Sequence, residues 1–191
     1  DAGHEGLATW GRELSEGMQA YKDNQFEAAI PMFDRLLRWE RLEVLNRPIV
    51  LANRGAMNGG LGRYEAALVD FNRAIELDSQ YAWAIARRGL TYRLMKSYEA
   101  GLADFSRAIE LDPQDAWTFA HRGQTYRLME RYDAALSDFD QAIALDPQYA
   151  WVIANRGQVY RDLERYDEAR ADFDRAVELD PQNALYRANR G

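Results

Sequence analysis

The chain has 191 residues, of which 47% are hydrophobic and 29% are charged, a balance that is typical of folded proteins and not of disordered ones. Its formal net charge of −7 disfavours nucleic acid and anionic membranes as partners. The chain contains no cysteine, which excludes disulfides, thiolate catalysis and cysteine-ligated zinc.

The first nine residues differ from the rest of the sequence. They contain Gly3 and Gly6 and lack the basic and then apolar pattern of a secretion signal. We therefore expect residues 1–9 to form a flexible lead-in. Nowhere in the chain is there an apolar run long enough to predict a transmembrane helix. The cytoplasm is the default expectation for the location, and a signal preceding Asp1 stays open as an alternative.

From residue 48 onward the sequence has a period of 34 residues, and the divergent segment that begins at residue 10 precedes it with a spacing of 38. Glycine, tyrosine and phenylalanine each recur at this spacing, at Gly55, Gly89, Gly123, Gly157 and Gly191, at Tyr64, Tyr98, Tyr132 and Tyr166, and at Phe71, Phe105, Phe139 and Phe173. Such a period is typical of repeat proteins, in which each repeat buries its apolar face against its neighbours.

Each period contains two predicted helices. In the period that begins at residue 82, we predict one helix over Ala82–Leu94 and a second over Tyr98–Leu111, separated by the polar pair Lys96-Ser97. Apolar residues of the second helix are spaced by three or four positions. Asp112-Pro113 ends it, because proline cannot continue a helix and disfavours helix in the residue before it.

Two further periodic features have predicted structural roles. The repeated glycine of the first helix, such as Gly89, is expected to let the two helices of a repeat approach closely. An arginine precedes each of these glycines, and we predict that it pairs with the aspartate before each phenylalanine. The arginines are Arg54, Arg88, Arg122, Arg156 and Arg190.

In a common frame, glycine is the eighth residue of the 34, phenylalanine the twenty-fourth, alanine the twenty-seventh and proline the thirty-second. A second set of tyrosines occupies the eleventh position, at Tyr92, Tyr126 and Tyr160. This pattern resembles the tetratricopeptide repeat. The resemblance implies an all-α fold, a right-handed superhelical solenoid of helix-turn-helix units. It extends over 10–191 as a single array, with a divergent repeat at 10–43, full repeats at 48–81, 82–115, 116–149 and 150–183, and a partial repeat at 184–191.

No catalytic or metal-binding pattern is found in the sequence. The two histidines, His4 and His121, have no second ligand at metal-binding spacing. The glycine-rich segment 58–62 lacks the lysine and the serine or threonine of a phosphate-binding loop, and we predict a flexible turn there. We therefore expect no enzymatic activity, no metal and no cofactor.

The resemblance also implies that the first helix of each repeat lines a concave groove. Positions two, five, six, nine, twelve and thirteen share one face of that helix, because they are spaced by three or four residues. Tryptophan and arginine recur on this face, and both are enriched at binding hot spots. The candidate binding residues are Asn53, Trp83, Arg87, Leu90, Arg93, Trp117, His121, Gln124, Arg127, Trp151, Asn155, Gln158 and Arg161.

The leading functional hypothesis is a scaffold that binds a protein or peptide, with acidic groups on the partner, through this groove. Asparagines such as Asn53 and Asn155 would bond the backbone of the ligand, as they do in peptide-binding relatives. The alternative for the face is structural, with the tryptophans packed on the next repeat and the arginines paired with acidic residues. Two other functions stay open: self-assembly into a homo-oligomer through uncapped solenoid ends, and a sensor or regulatory segment of a larger signalling protein.

Overall fold

A computed structural model of the chain describes residues 2–38 and 47–190, with side chains for 10–38 and 47–188. This part of the chain is all-helical, as predicted, and contains no strand. Its helices are α1 (Ala2–Lys22), α2 (Phe26–Leu37), α3 (Arg47–Gly60), α4 (Tyr64–Leu77), α5 (Ala82–Leu94), α6 (Tyr98–Leu111), α7 (Ala116–Leu128), α8 (Tyr132–Leu145), α9 (Ala150–Asp162), α10 (Tyr166–Leu179) and α11 (Ala184–Arg190). Residues 39–43 of the divergent repeat, Gly191, and the side chains of His4 and Arg190 lie outside the described part.

The boundaries predicted for the repeat at 82–115 are confirmed. Its helices are Ala82–Leu94 and Tyr98–Leu111. Asp112 caps the second helix, and its N–H donates to the carbonyl of Ala108 at 2.8 Å. Because Pro113 prevents a further helical residue, the chain turns at this point towards the next repeat.

The turns between the two helices of a repeat share one backbone feature. Each has a residue in the left-handed conformation, with φ between 56° and 74°, at Asn24, Gly62, Lys96, Glu130 and Glu164. These residues all occupy the fifteenth position of a predicted repeat. For a residue with a side chain, this backbone conformation costs about 1 kcal/mol of free energy, and among the five residues only Gly62 avoids that cost. The divergent first repeat therefore makes the same turn as the regular ones.

Two predicted loops are shorter than expected. Residues 2–9, predicted as a lead-in, form the first turns of α1, because helix-forming residues such as Ala2, Leu7 and Ala8 outnumber the two glycines. The predicted turn at residues 58–62 is wrong for 58–60, which belong to α3. Only the segment 61–63 lies between α3 and α4.

The contacts divide the chain into two compact units, residues 1–95 and 96–191. The division falls inside the predicted repeat 82–115, so the single array over residues 10–191 stays a prediction. In each unit every helix packs on the next one along the chain. The first helices of successive repeats are also in contact: α3 contacts α5 in one unit, and α7 contacts α9 in the other.

Each unit has its own apolar core, built around phenylalanines at the twenty-fourth position of the repeat. In residues 1–95 these are Phe33 and Phe71, and in residues 96–191 they are Phe105, Phe139 and Phe173. All five are at most 3% exposed. Full burial of such a side chain stabilises the fold by about 1.5–3 kcal/mol.

The repeated glycine lets the helices of a pair approach, as predicted. A Cβ on Gly123 would lie 3.0 Å from the ring of Phe139, and one on Gly157 would lie 2.9 Å from the ring of Phe173. A Cβ on Gly55 would lie 3.2 Å from the carbonyl oxygen of Ala67. An added methyl group would therefore push the two helices apart.

The predicted arginine–aspartate pairs are also confirmed at three positions. Arg122 donates from Nε and Nη2 to the two carboxylate oxygens of Asp138, at 2.8 Å each. The equivalent pairs are Arg54–Asp70 and Arg156–Asp172. These hydrogen bonds to aspartate raise the pKa of all three guanidinium groups above the ordinary value, against the opposing effect of burial.

The same arginines also reach back to the second helix of the preceding repeat. Nη1 of Arg54 donates to Asp34 at 2.7 Å, and Nη1 of Arg156 donates to Asp140 at 2.6 Å. At the equivalent places the acceptors are Asn72 for Arg88 and Ser106 for Arg122. One side chain therefore connects two successive repeats through directional hydrogen bonds.

Candidate functional site

The candidate binding residues lie on the first helices of four successive repeats. Asn53 is on α3, and the others are shared among α5, α7 and α9. Each of these helices is 13 or 14 residues long. Positions spaced by three or four residues therefore stay on one side through its whole length.

In residues 1–95, the candidates on α5 lie close to one another. The guanidinium carbon of Arg87 lies 5.2 Å from the centroid of the Trp83 ring, a cation–π contact. The Trp83 ring is itself stacked beside Tyr81, with centroids 6.0 Å apart. Arg93 is partly buried. Asn53 on α3 is only 4% exposed, and its Nδ2 donates to the carbonyl of Ile49 at 2.8 Å.

Arg87 and Leu90 also line a cavity of about 140 Å³ in this unit. The other lining residues come from five helices, and they are Tyr21, Phe26, Ala56, Gly59, Gly60, Phe71, Thr91 and Leu94. Most of these side chains are apolar. Arg87 is the one charged residue among the described residues that line it.

In residues 96–191, four rings form an aromatic cluster: Phe105, Trp117, His121 and Trp151. The ring centroid of His121 lies 4.0 Å from that of Trp117 and 5.2 Å from that of Trp151. Beneath it, the buried ring of Phe105 lies 6.5 Å away and nearly parallel, at 16°. The two tryptophans are partly exposed, so they present apolar surface to solvent.

Trp117 is fixed by the N-cap of α7. The carboxylate of Asp115 accepts a hydrogen bond from the backbone N–H of Trp117 at 3.1 Å and a second from the hydroxyl of Thr118. At the same place in the neighbouring repeats, Tyr81 and Tyr149 make no such side-chain cap. The start of α7 is therefore held more firmly than the starts of α5 and α9.

Three polar side chains lie close together near the C-terminal ends of α7 and α9. Arg127 on α7 donates from Nη1 to Asp162 on α9 at 3.4 Å and from Nε to Gln124 at 3.4 Å. The side chains of Arg127 and Asp162 are 22% and 32% exposed. At 3.4 Å this ion pair is longer than the 2.7–2.9 Å typical of charge-assisted hydrogen bonds.

The last three candidates on α9 have different surroundings. Asn155 is only 7% exposed, and its Nδ2 donates to the carbonyl of Trp151 at 2.7 Å. Gln158 is partly buried. Arg161 is exposed, and its guanidinium carbon lies 5.9 Å from the centroid of the Phe173 ring.

Models of the repeat that the sequence resembles match the chain from residue 61 to residue 183. Tetratricopeptide repeat models match 116–149 and 150–183 and another matches 84–115, while a model described as TPR repeat matches 61–96. The chain belongs to the tetratricopeptide repeat family. No curated protein sequence matches it significantly.

Solved TPR structures share this fold. A thermophilic TPR protein of Thermus thermophilus has 22% identity and a TM-score of 0.79, covering 95% of this chain and 96% of its own. MamA from Desulfovibrio magneticus RS-1, over its residues 41 to the end, has 20% identity and a TM-score of 0.74, covering 92% and 97%. YrrB, described as a TPR protein with an unusual peptide-binding site, has 20% identity and a TM-score of 0.68, covering 92% and 89%.

Sequence reasoning placed these side chains on one predicted face of the TPR helices, and the structure shows which of them touch. Trp117, His121 and Trp151 come together as one cluster, and Arg87 lies against Trp83. The buried amides of Asn53 and Asn155 each use a donor within their own helix. The cavity was missed, although one signal was present. The second TPR repeat has Gly59-Gly60 where the next two have Arg-Leu.

Two kinds of site are not found in the described part of this TPR chain. No three side chains among its histidines, aspartates and glutamates are grouped so that they could hold a metal ion. None of its helices has a stretch that is both long and apolar enough to cross a membrane.

Proposed function

We propose that this chain is a scaffold that binds a protein or peptide, and that residues 96–191 hold the partner on one side of α7 and α9. We name this surface the α7–α9 face. Its residues are Trp117, His121, Gln124, Arg127, Trp151, Asn155, Gln158 and Arg161.

The observation that carries the proposal is the aromatic cluster. Its two tryptophans are partly exposed, and Trp151 packs with one part of its surface against the core of this unit. The surface that stays in water is apolar and lies beside the ring of His121, and tryptophan is the kind of side chain that is enriched at binding hot spots. The N-cap at Asp115 bonds the backbone N–H of Trp117 and so fixes the start of the helix that carries this side chain.

Arginines on the α7–α9 face favour a partner with acidic groups. Arg161 is exposed, and Arg127 is held only by the long contacts to Asp162 and Gln124. A carboxylate of the partner can replace Asp162 and form the shorter, bidentate hydrogen bonds that a guanidinium prefers. After this exchange the carboxylate of Asp162 is hydrated instead, because 32% of its side chain is already exposed to solvent.

Membership of the TPR family supports binding as the class of function. Among the solved structures that share the fold, YrrB is described as having a peptide-binding site. By the same reasoning, Asn53, Trp83, Arg87, Leu90 and Arg93 of the first unit are proposed contacts for the partner. The two buried asparagines keep an amide oxygen and a second N–H with which they could bond a peptide backbone.

The proposal can be tested by affinity capture from a lysate of the native host, followed by mass spectrometry. We compare the chain with the double variant Trp117→Ala/Arg127→Glu, whose helicity is checked by circular dichroism. We expect a partner that the unchanged chain retains and the double variant loses, because both the apolar contact and the carboxylate-binding donor are removed. The affinity for the identified partner is then measured with purified proteins.

A matched control changes the same kinds of side chain elsewhere in the same unit. Tyr166→Ala/Arg131→Glu removes an exposed aromatic group and reverses an exposed charge at the N-terminal ends of α10 and α8. This variant should retain the partner. If both variants retain the partner equally, the assignment of the α7–α9 face is contradicted. If no other protein is captured and the molecular mass of the chain in solution rises with its concentration, self-assembly is favoured instead.

A further inference from the structure

The twenty-fifth residue of the repeat differs in chemistry from one repeat to the next. It follows the buried phenylalanine of the second helix, and in four successive repeats it accepts a hydrogen bond from the arginine of the next first helix. These acceptors are Asp34 on α2, Asn72 on α4, Ser106 on α6 and Asp140 on α8. Ser106 is the one of the four that has a hydroxyl group, and it is therefore the one that can be esterified.

The distances show what this hydroxyl lacks. Nη1 of Arg156 lies 2.6 Å from a carboxylate oxygen of Asp140, and the equivalent atoms between α3 and α2 are 2.7 Å apart. Such short distances are typical of charge-assisted hydrogen bonds. Nη1 of Arg122 lies 3.1 Å from Oγ of Ser106, which carries no charge. The junction between α6 and α7 therefore has a neutral acceptor where two other junctions have an ion pair.

The guanidinium of Arg122 is placed to hold a second anion. Its Nε and Nη2 donate to Asp138, and its Nη1 donates to Ser106. Arg156, at the equivalent place in the next repeat, holds two carboxylates at once, one through Nε and Nη2 and the other through Nη1. A negative charge on Ser106 would give Arg122 the same two kinds of partner.

The twenty-fifth position also has room for a larger group. The side chains of Asp34 and Asp140, which occupy it in two other repeats, are 41% and 57% exposed. Ser106 is itself partly exposed. A group added to its Oγ can therefore extend into solvent beside Arg122 and does not have to enter the core.

We propose that Ser106 is a phosphorylation site, and that its phosphate binds Arg122 and joins α6 to α7 by an ion pair. A protein kinase would transfer the γ-phosphoryl group of ATP to Oγ. The O–H bond breaks, an O–P bond forms, ADP leaves and the proton passes to the kinase. The phosphate carries about −1.5 to −2 charges at pH 7 and three acceptor oxygens. The site lies outside the α7–α9 face, so the inference does not depend on the proposed function.

The experiment uses the full chain with phosphoserine placed at position 106 by genetic encoding. The matched control carries phosphoserine at position 137 instead. Ser137 is an exposed serine of α8, and none of the described side chains forms a hydrogen bond with it. Both positions lie inside 14-residue helices of the same unit, so the general cost of a phosphoserine in a helix is common to the two proteins.

Two measurements compare these proteins. Phosphorus NMR gives the second pKa of each phosphate, which is about 6 without a partner. We expect the pKa at position 106 to be lower than that at position 137 by about 0.5 or more, because Arg122 favours the doubly charged form. In urea unfolding, the midpoint of the chain modified at position 106 should be higher by about 0.5 M. In Arg122→Met/Asp138→Leu, the pKa at position 106 should return to about 6.

Unmodified variants test the same contact without a phosphate. Ser106→Asp gives α6 the residue found in α2 and α8, and Ser106→Asn gives it the residue of similar shape found in α4. We expect the urea midpoint of Ser106→Asp to be higher by about 0.3 M, because only the aspartate is charged. Equal midpoints for these two variants, together with equal pKa values for the two phosphates, would overturn the role of Arg122.

Modification in the cell is tested by mass spectrometry of the protein isolated from its native host. Trypsin releases residues 97–107, a peptide that contains both Ser97 and Ser106. We expect fragment ions that place a phosphate on Ser106. A phosphate on Ser97 alone, or none on this peptide in either growing or starved cells, would overturn the phosphorylation site.

Discussion

Replacing Asp138 by asparagine removes the carboxylate from the pair that it forms with Arg122. Both Asp138 oxygens accept from the guanidinium at 2.8 Å, and the two side chains are 7% and 19% exposed. Breaking a buried pair on one side costs about 3–5 kcal/mol, because the remaining charge is left without its partner. Arg122 keeps its bond to Ser106 and some contact with water. We therefore expect a loss at or just below the lower limit of this range, about 2–3 kcal/mol.

The assay is urea unfolding followed by circular dichroism at the helical minimum. With a denaturant slope of about 2 kcal/mol per molar urea, the expected loss lowers the midpoint by about 1 M. Glu168→Gln serves as a control, because it removes the carboxylate of an exposed pair with Arg165 on the same unit and should leave the midpoint unchanged.

A second variant separates a buried charge from a general packing defect. Arg122→Met/Asp138→Leu removes both charges and should be less destabilised than Asp138→Asn alone, because no unpaired charge remains. The reasoning is refuted if Asp138→Asn shifts the midpoint no further than Glu168→Gln does, or if the double variant is the least stable of all.

The remaining predictions concern a glycine and a tyrosine. Gly157→Ala should lower the free energy of unfolding by about 1–2 kcal/mol, because the added Cβ would lie 2.9 Å from the Phe173 ring and 3.2 Å from a backbone oxygen. Gly11→Ala, with open space around it, should be neutral or stabilising, and both glycine variants are measured by the same urea unfolding. Burial, and then the charge of Asp78, raise the pKa of Tyr81 above its ordinary value. Tyr81 therefore stabilises the fold below about pH 10, and this contribution is lost as the pH rises towards the folded-state pKa. Tyr81→Phe should lose less stability than the unchanged chain between about pH 9 and pH 11 in urea titrations, and an identical loss would contradict the assignment.

Much of the local structure could be read from the sequence. The boundaries of α5 and α6 were predicted to the residue, because the apolar spacing and Asp112-Pro113 act within a few residues of the chain. The pairing of Arg122 with Asp138 was also predicted, since both recur at fixed places in the four full repeats and are always 16 residues apart.

The predictions failed where local preference competed with packing. Gly59 and Gly60 were predicted in a turn because glycine disfavours helix, but both belong to α3, where Gly60 lies under the ring of Phe26. Residues 2–9 belong to α1 for a local reason, because helix-forming residues outnumber Gly3 and Gly6, the two residues that suggested a lead-in.

The sequence by itself determined the 34-residue period, the paired helices and the face on which Trp117, His121 and Trp151 lie, because helical periodicity and proline stops depend on neighbours along the chain. Only the tertiary structure decided which of those side chains touch. The position of the His121 ring between two tryptophans and the cavity beside Gly59 depend on side chains from several helices meeting in space. Such contacts follow from the packing distance between helices, which no single segment of the sequence specifies.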